Sequence, residues 1–599
     1  MGFFDKRDND GKLLGYKIYP LQYLIAQVCF SQFKDCGTYK ILKDVLSEKL
    51  IEIYFKKLFY ESALKIACQI ILLENDNKQK KYTIKTCFPF IKYLKGYKRF
   101  ENLYFIQKNQ TNGLRNIIKN FIWKNSNLIY FFFKYLTFGY FEKTSKKNNQ
   151  NKIAVNFLEG CDFKKRNDFF WYNKNLFSHG EVISYVEHEN NFKKFGSPEK
   201  QKQQLAQNNI KIISYKKFQY FKPNEFFSEI TKKIKSEPKL SDENAWSKEH
   251  ALTLIKRIQF WFNFFKIQNI KIHFNSEELE CSNIIRQVAL ELNNGCSIGK
   301  IKSLPTNLEG DFIGFYPNNI FFVWGKDSAK RISKTYNTIQ KILISGDPYP
   351  TKNSEKDKNF LKKINSMKDN GINFFIMLLD SSHSKNSEAN WQLMYSENME
   401  NFFLNFLKLL ESHKDIGLII KSKRKNNLKS LNKIYPKIKI LEQKQKCLLI
   451  DDNNEIAAHY SSYADITVSA GAFIPGTLIQ CAINNSKNRA VIYDNTNLRK
   501  FETELYANFH NKLIFNDLDF LTENIISLKK SNTIEKKIGL WENIENYDPF
   551  MDGEGGKRVG KFTRELLDNL NLGLDSNSAI KSSTENYLKK FGSDKEFHD

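Results

Sequence analysis

Apolar and polar positions change rhythm three times along the chain. Up to about residue 150, apolar side chains recur at helical spacing, as in Tyr23, Leu24 and Val28 and again in Ile51, Tyr54, Phe55 and Leu58. This zone, residues 1–150, reads as a mainly helical extension, and it ends in the polar run KTSKKNNQNK, a linker pattern. From Ile153 short apolar runs take over. IAVNFL, VISYVE (182–187), IKIIS (210–214), FIGFY (312–316), IFFVWG (320–325) and ILISG (342–346) predict buried strands, with helices over Ala251–Phe265 and Ser282–Asn293 between them. Strands alternating with helices make residues 151–348 a parallel α/β domain.

A charged stretch from Tyr349 to Lys368 reads as an interdomain connection, and then the alternation restarts. INFFIMLLD (372–380), GLIIKSK (417–423), IKILEQ (438–443), ADITVS (464–469) and AVIYD (490–494) predict strands, and Trp391–Ser412 and Ile474–Ile483 predict helices. Residues 370–535 form the second doubly wound unit, and 536–599 a helical tail whose glycines precede an amphipathic helix. The fold expected is α/β, with two facing Rossmann-like domains, a helical extension before them and a helical tail after them.

Charge adds to this picture. Lys and Arg total 93 against 66 Asp and Glu, a formal net charge of +27. Such a field attracts nucleic acid, anionic lipid or phosphorylated small molecules. A chain rich in Lys, Asn, Ile and Phe also gathers positive charge through AT-biased codon usage, so the excess alone does not choose among them. No zinc finger, basic repeat or glycine-rich aromatic motif appears, which disfavours nucleic acid as a partner. The nine cysteines form no CxxC pair, as expected in a reducing compartment, and there is no HExxH or other metal constellation. The start MGFFDKRDND has no signal-peptide core, and Lys6 stands where a myristoylation signal carries Ser or Thr. The longest aromatic run, Leu128–Phe141, is too short to span a bilayer and is broken by Lys134. Flanked by Lys119, Lys124, Lys143, Lys146 and Lys147, it suits a helix at an anionic membrane surface or a buried helix. The location expected is cytoplasmic, peripheral at the inner face of the cell membrane.

Open α/β sheets bind ligands beyond the carboxyl ends of their strands, so candidate chemistry lies just after each run. In the second unit these residues are Ser382 and His383, then Lys421 and Lys423, then Glu442, then Ser469 and Gly471, with Thr477 and Gln480 on the helix that follows. Small residues admit a ligand's close approach, and a helix start offers free N–H groups to an anion. Each also has a plain structural reading as a cap, a basic turn or a surface carboxylate. In the first unit, Asp168 is the first candidate for a general base, with Asp162 and Glu159 as alternatives. In the tail, Lys557 and Arg558 follow glycines at a helix start and are candidate phosphate ligands. GxxxxGK[ST] and a strand-linked GxGxxG are both missing, which excludes a P-loop and a dinucleotide fingerprint.

From Leu379 to Phe520 the segments LLDSSHS, IIKSK, HYSSYADITVSAGAFIPGTLIQCAI, RAVIYD and LIFNDLDFL run in an order that resembles bacterial surface-polysaccharide glycosyltransferases of the GT-B fold, the capsule and lipopolysaccharide type. KIAVNFLEGCDFKKRNDFFWY, IFFVWGKD and ISGDPYP extend the resemblance into the first unit. It implies a metal-independent enzyme without a cofactor, which moves a sugar from a nucleotide-sugar donor to a hydroxyl of a glycan or lipid-linked glycan. The donor would bind Ser469, Gly471 and Thr477 with Lys421 and Lys423 nearby. Gln480 stands where many relatives carry an acidic residue. The rival readings are a two-domain sugar-nucleotide epimerase and a basic nucleic-acid- or membrane-binding protein without catalysis.

Overall fold

The computed structural model describes residues 17–75, 82–86, 88–97, 100–101, 103–107, 150–158, 160, 167–186, 197–213, 224–238, 241–275, 281–301, 315–348, 354–381, 383, 396–452, 455–471, 476–494, 511–530 and 537–598. Leu128–Phe141, Glu159, Asp162 and Ser382 lie outside these residues.

The N-terminal zone folds as helices α1 (Ile18–Phe33), α2 (Gly37–Val45) and α3 (Glu48–Asn75), followed by the short parallel pair β1 (Tyr82–Thr86) and β2 (Leu103–Gln107). The first α/β unit runs β3 (Lys152–Asn156), β4 (Val182–Tyr185), α4 (Pro198–Gln207), β5 (Lys211–Ile213), α5 (Glu225–Ser236), α6 (Asp242–Gln268), β6 (Ile270–Asn275), α7 (Cys281–Glu291), β7 (Cys296–Lys300), β8 (Phe315–Tyr316), β9 (Ile320–Val323), α8 (Lys326–Ser333), β10 (Tyr336–Asn337) and β11 (Lys341–Ile344). Capping sets its helix boundaries. The Ser241 hydroxyl accepts from Asn244 N at 3.2 Å to open α6, and Asn269, at φ 54°, closes it in the left-handed region.

The second unit runs α9 (Ser354–Asp369), β12 (Phe374–Leu379), α10 (Ser396–Ser412), β13 (Ile416–Lys421), α11 (Tyr435–Gln443), β14 (Cys447–Ile450), α12 (Ala458–Ser461), β15 (Ile466–Ala470), α13 (Gly476–Asn484), β16 (Ala490–Tyr493), β17 (Ile514–Phe515) and α14 (Leu518–Lys530). The tail holds α15 (Gly555–Asn571), α16 (Ser576–Phe591) and β18 (Glu596–Phe597). Two sheets result. The eight-stranded sheet has the order β18-β11-β9-β7-β6-β3-β4-β5, parallel except for β18, which pairs antiparallel with β11. The six-stranded sheet has the order β14-β13-β12-β15-β16-β17 and is parallel throughout. The two doubly wound units expected from the sequence are therefore present.

Parallel strands need cover on both faces. One face of the eight-stranded sheet shares a core with the N-terminal helices, where Phe33, Phe55 and Phe59 join Ile183, Tyr185 and Ile270. The other face is covered by the tail, where Val559, Phe562 and Leu566 of α15 and Tyr587 of α16 pack with Val155, Phe274 and Phe322. Each fully buried side chain of this size contributes about 1.5–3 kcal/mol. The chain returns from the second unit along residues 537–550, where Trp541, Ile544 and Tyr547 pack with Phe360 and Ile364 of α9, so the outbound and return links lie side by side.

Three expectations are corrected. Residues 438–443 are helical, in α11, and the strand of that region is β14, whose CLLI follows after three residues. Pro436 at the start of α11 fits a helix opening and not a strand interior. Only Phe315 and Tyr316 of the FIGFY run pair as a described strand, and they pair with β10 outside the main sheet. The charged connection from 349 to 368 contains the helix α9, whose apolar Phe360, Ile364 and Met367 are buried at helical spacing.

The tail's glycines have a packing role. A Cβ on Gly556 would stand 2.5 Å from the Phe170 carbonyl oxygen, and one on Gly560 would meet the carbonyl oxygen of Trp171. They let α15 lie directly on the backbone after β3. Gly560→Ala is therefore expected to lower the thermal unfolding midpoint: overpacking costs about 1–3 kcal/mol, more than the roughly 1 kcal/mol that alanine returns in helix propensity. Gly96→Ala, with open space around the added methyl, serves as the control that leaves the midpoint in place.

Candidate functional site

A doubly wound sheet opens a crevice where its strand order changes direction, because loops leaving neighbouring strands diverge there. In the six-stranded sheet this point lies between β12 and β15, and in the eight-stranded sheet between β3 and β6.

At the first of these points the carboxyl end of β12 continues into Asp380, Ser381 and His383, beside Ser469, Ala470 and Gly471 at the end of β15. Ser381 Oγ donates to Ala470 O at 2.7 Å and ties the two strand ends together. Gly471, at φ 151°, follows the end of β15, and α13 begins at Gly476 and Thr477. The first N–H groups of a helix have no intrahelical acceptor, and they carry positive partial charge. Ser469 is buried and Thr477 half-buried at this end.

A cluster of polar side chains lies beneath this crevice. Asp380 Oδ2 accepts from Asn427 Nδ2 at 2.7 Å and from Lys423 N at 3.1 Å. Asn427 Nδ2 also reaches His383 Nε2 at 3.1 Å, and His383 Nδ1 lies 3.3 Å from Ser396 Oγ. The Asp380 and His383 side chains are 0% and 1% exposed. Burial pushes the Asp380 carboxyl above its ordinary range, with the Asn427 hydrogen bond working against it. Burial pulls the His383 imidazole down, opposed by the charge of Asp380.

The lysines divide. Lys421 is buried, and its ammonium donates to Ser422 O at 2.5 Å and Asp452 O at 2.9 Å. Burial lowers its pKa, and the Asp452 and Asp380 carboxylates oppose the shift. Its position at the end of β13 is as expected, but the ammonium is directed into backbone carbonyls, so its expected contact with a donor phosphate is corrected to one that holds the 422–452 loops. Lys423, two residues on, is exposed.

Other candidates sit elsewhere. Glu442 lies on α11 rather than at a strand end; its Oε1 accepts from Leu449 N at 3.1 Å and its Oε2 from Lys439 Nζ at 2.6 Å, which joins helix to strand and removes the ground for a ribose contact. Gln480 Nε2 donates to both carboxylate oxygens of Asp347, at 3.1 and 2.9 Å, so it bridges to the first unit rather than turning to a donor. Asp347 follows β11, and its N–H donates to Asp548 Oδ2 at 3.0 Å on the return link. Arg558 is buried: Nε donates to Ser345 O at 2.7 Å, the two terminal nitrogens clasp Asp552 at 2.9 and 2.7 Å, and the guanidinium stacks 3.7 Å over Phe550. That is a corner lock, and it corrects the phosphate reading. Lys557 is exposed and pairs with Glu554.

In the first unit Asp168 is fully buried. Its Oδ2 accepts from Leu158 N at 2.7 Å and its N–H donates to Gly160 O at 3.2 Å, closing the loop after β3 on itself. Phe169 and Trp171 beside it enter the core and draw it in, so it does not open on the crevice as a general base must. Asn156 and Asn275, at the ends of β3 and β6, stand at the switch point instead, 2% and 4% exposed. Sequence reading missed Asn275 because Lys271 and His273 interrupt the apolar run of β6, and missed Asn427 because it lies in a polar turn with no motif.

Lys421→Met is expected to destabilise the fold by about 1–3 kcal/mol, the cost of leaving buried carbonyls without a donor, whereas Lys423→Met stays within about 0.5 kcal/mol. Urea unfolding of the two variants measures the difference.

With this geometry in view, comparisons with known proteins can be placed. No curated protein is similar in sequence. Among solved structures, Staphylococcus aureus MnaA with UDP is similar at 13% identity over 70% of this chain and 97% of that one, with a TM-score of 0.40. A glycosyltransferase from Rickettsia africae is similar at 12% identity, over 74% and 98% of the two chains, with a TM-score of 0.36. Anabaena Alr3699/HepE in complex with UDP and glucose is similar at 10% identity, over 73% and 99%, with a TM-score of 0.34. Scores of this size carry no argument about activity. The family match is local: residues 314–522, which run from β8 into α14 and include β12 to β17, match the model of a family described as polysaccharide biosynthesis PFTS motif protein, in agreement with the resemblance to surface-polysaccharide enzymes.

Proposed function

We propose that the protein is a glycosyltransferase of polysaccharide biosynthesis, which moves a sugar from a nucleotide-sugar donor to a hydroxyl of a cell-surface glycan. The observation that carries this reading is the β12/β15 crevice. It has Gly471 at a strand end and a helix N-terminus at its mouth, and it lies within the stretch matched to the polysaccharide family. A uridine nucleotide is taken as the first donor to try.

In this reading the departing diphosphate rests against the N–H groups of α13 and the Thr477 hydroxyl. Gly471 keeps the approach open, and Lys423 and His383 supply positive charge from the side. Preorganised donors aimed at developing negative charge are an effective form of transition-state stabilisation. Lys421 supports the loops that shape this wall. The acceptor enters at the β3/β6 switch point of the first unit. The +27 net charge draws the protein to an anionic leaflet, where lipid-linked acceptors reside.

A thermal-shift screen of CMP, UDP, GDP and CDP tests the donor half. The matching nucleotide at 100 times its Kd is expected to add about 2.7 kcal/mol of stability, and the absence of a shift with all four overturns the reading. Thr477→Val is expected to weaken nucleotide binding about tenfold, the roughly 1.4 kcal/mol of one hydrogen bond to a charged group. Release of nucleotide from the nucleotide-sugar only when acceptor is present supports transfer, whereas an altered sugar formed without acceptor assigns the protein to the epimerases.

A further inference from the structure

We infer that His383, Asp380 and Asn427 form a two-position proton switch that charges the donor crevice when a nucleoside diphosphate enters it. This rests on the donor reading of the β12/β15 crevice and adds a mechanism to it.

The hydrogen bonds set the first position. Asn427 Nδ2 faces two acceptors, Asp380 Oδ2 at 2.7 Å and Ser381 O at 3.3 Å, and these fix which end of the amide carries hydrogen. The same nitrogen lies 3.1 Å from His383 Nε2, so Nε2 accepts and carries no proton. The imidazole is then neutral, with its proton on Nδ1 and directed at Ser396 Oγ. The second position is already built. Asp380 Oδ1 is buried and has no hydrogen-bond partner among the described residues, and it stands 3.6 Å from Nε2. A proton arriving on Nε2 loses the bond from Asn427 and gains this oxygen. Asn427 keeps Asp380 Oδ2 and Ser381 O, so only the Nε2 contact changes.

The need for such a charge follows from Lys421. Its ammonium is held by Ser422 O and Asp452 O, so it is not directed at the crevice mouth. An anion there raises the affinity of His383 for a proton, and the charged ring holds the anion in return. Coupled binding of this kind is reciprocal. Among the described residues, the charged groups acting on this pair include Asp380 on its own loop, Glu400 on α10, Lys421 at the end of β13 and Lys423 after it. Glu400 faces Lys433 at 3.9 Å. Burial lowers the pKa of His383 in the free protein and the anion raises it, so proton uptake is expected between the two values, and nucleotide affinity falls as pH rises through the upper one.

Calorimetry of UDP binding at about pH 7.5, above the second phosphate ionisation, in two buffers of different protonation enthalpy, reads the uptake directly. The wild-type protein is expected to take up close to one proton per UDP. Asp380→Asn keeps an oxygen for Lys423 N and Asn427 but cannot take a charged partner. It is expected to abolish the uptake and weaken UDP about tenfold, and His383→Gln is expected to do the same. Should Asp380→Asn fail to fold, His383→Gln decides. Imidazole 15N shifts are expected to show a neutral Nδ1–H ring in the free protein and an imidazolium with UDP bound. UDP binding without uptake, or equal uptake in the wild type and the variants, overturns the switch and leaves the donor reading standing. No UDP binding at any pH overturns both.

Discussion

Burial on both faces is the condition that the rest of this structure obeys. A parallel sheet has no solvent-facing side, so each of the two sheets must recruit helices above and below. The six-stranded sheet does so with helices from its own alternation. The eight-stranded sheet draws on distant parts of the chain: α1–α3 share the core on one face, and α15 and α16 close the other. The glycines of α15 follow from the same condition, since a helix carrying side chains at positions 556 and 560 would stand off the backbone it has to cover.

This explains which features could be read in the sequence. Strands β3, β9, β11, β12, β13, β15 and β16 were visible because full burial leaves uninterrupted apolar runs between polar turns. β6, in IKIHFN, was hidden because His273 and Lys271 interrupt its run; yet His273 is fully buried and bonds Tyr185 Oη at 2.6 Å, a contact no local pattern signals. IKILEQ misled because three of its residues, Ile438, Ile440 and Leu441, are apolar, and tertiary packing placed only Ile438 in the core, on a helix. The destination of the tail was also illegible, since the side chains that cover a sheet are chosen by contacts hundreds of residues away.

Site residues divide along the same line. Ser469, Gly471 and Thr477 could be placed at a strand end and a helix start from sequence, because small residues beside a helix start have a physical signature. Lys421, Glu442, Arg558 and Asp168 were misassigned because a charged residue near a strand end has the same appearance in sequence whether it faces a ligand or holds a loop. The structure separates these cases by where each charge is directed: Lys421 to two carbonyls, Arg558 to Asp552, Asp168 to its own loop. At the end of β12, Asp380 and His383 are directed to Asn427.

The pairing of β18 with β11 has a consequence for how the protein is made. A ribosome releases all of residues 354–530 before the tail that covers the first sheet emerges. The second unit thus has its own strands and helices in hand while the first still exposes the apolar surface of β3, β6 and β9. Domains fold as units during synthesis, and uncovered parallel strands are prone to aggregate. The unit begun first is therefore completed last, and its long wait with one side bare makes it the part of the molecule most dependent on chaperone protection in the cell.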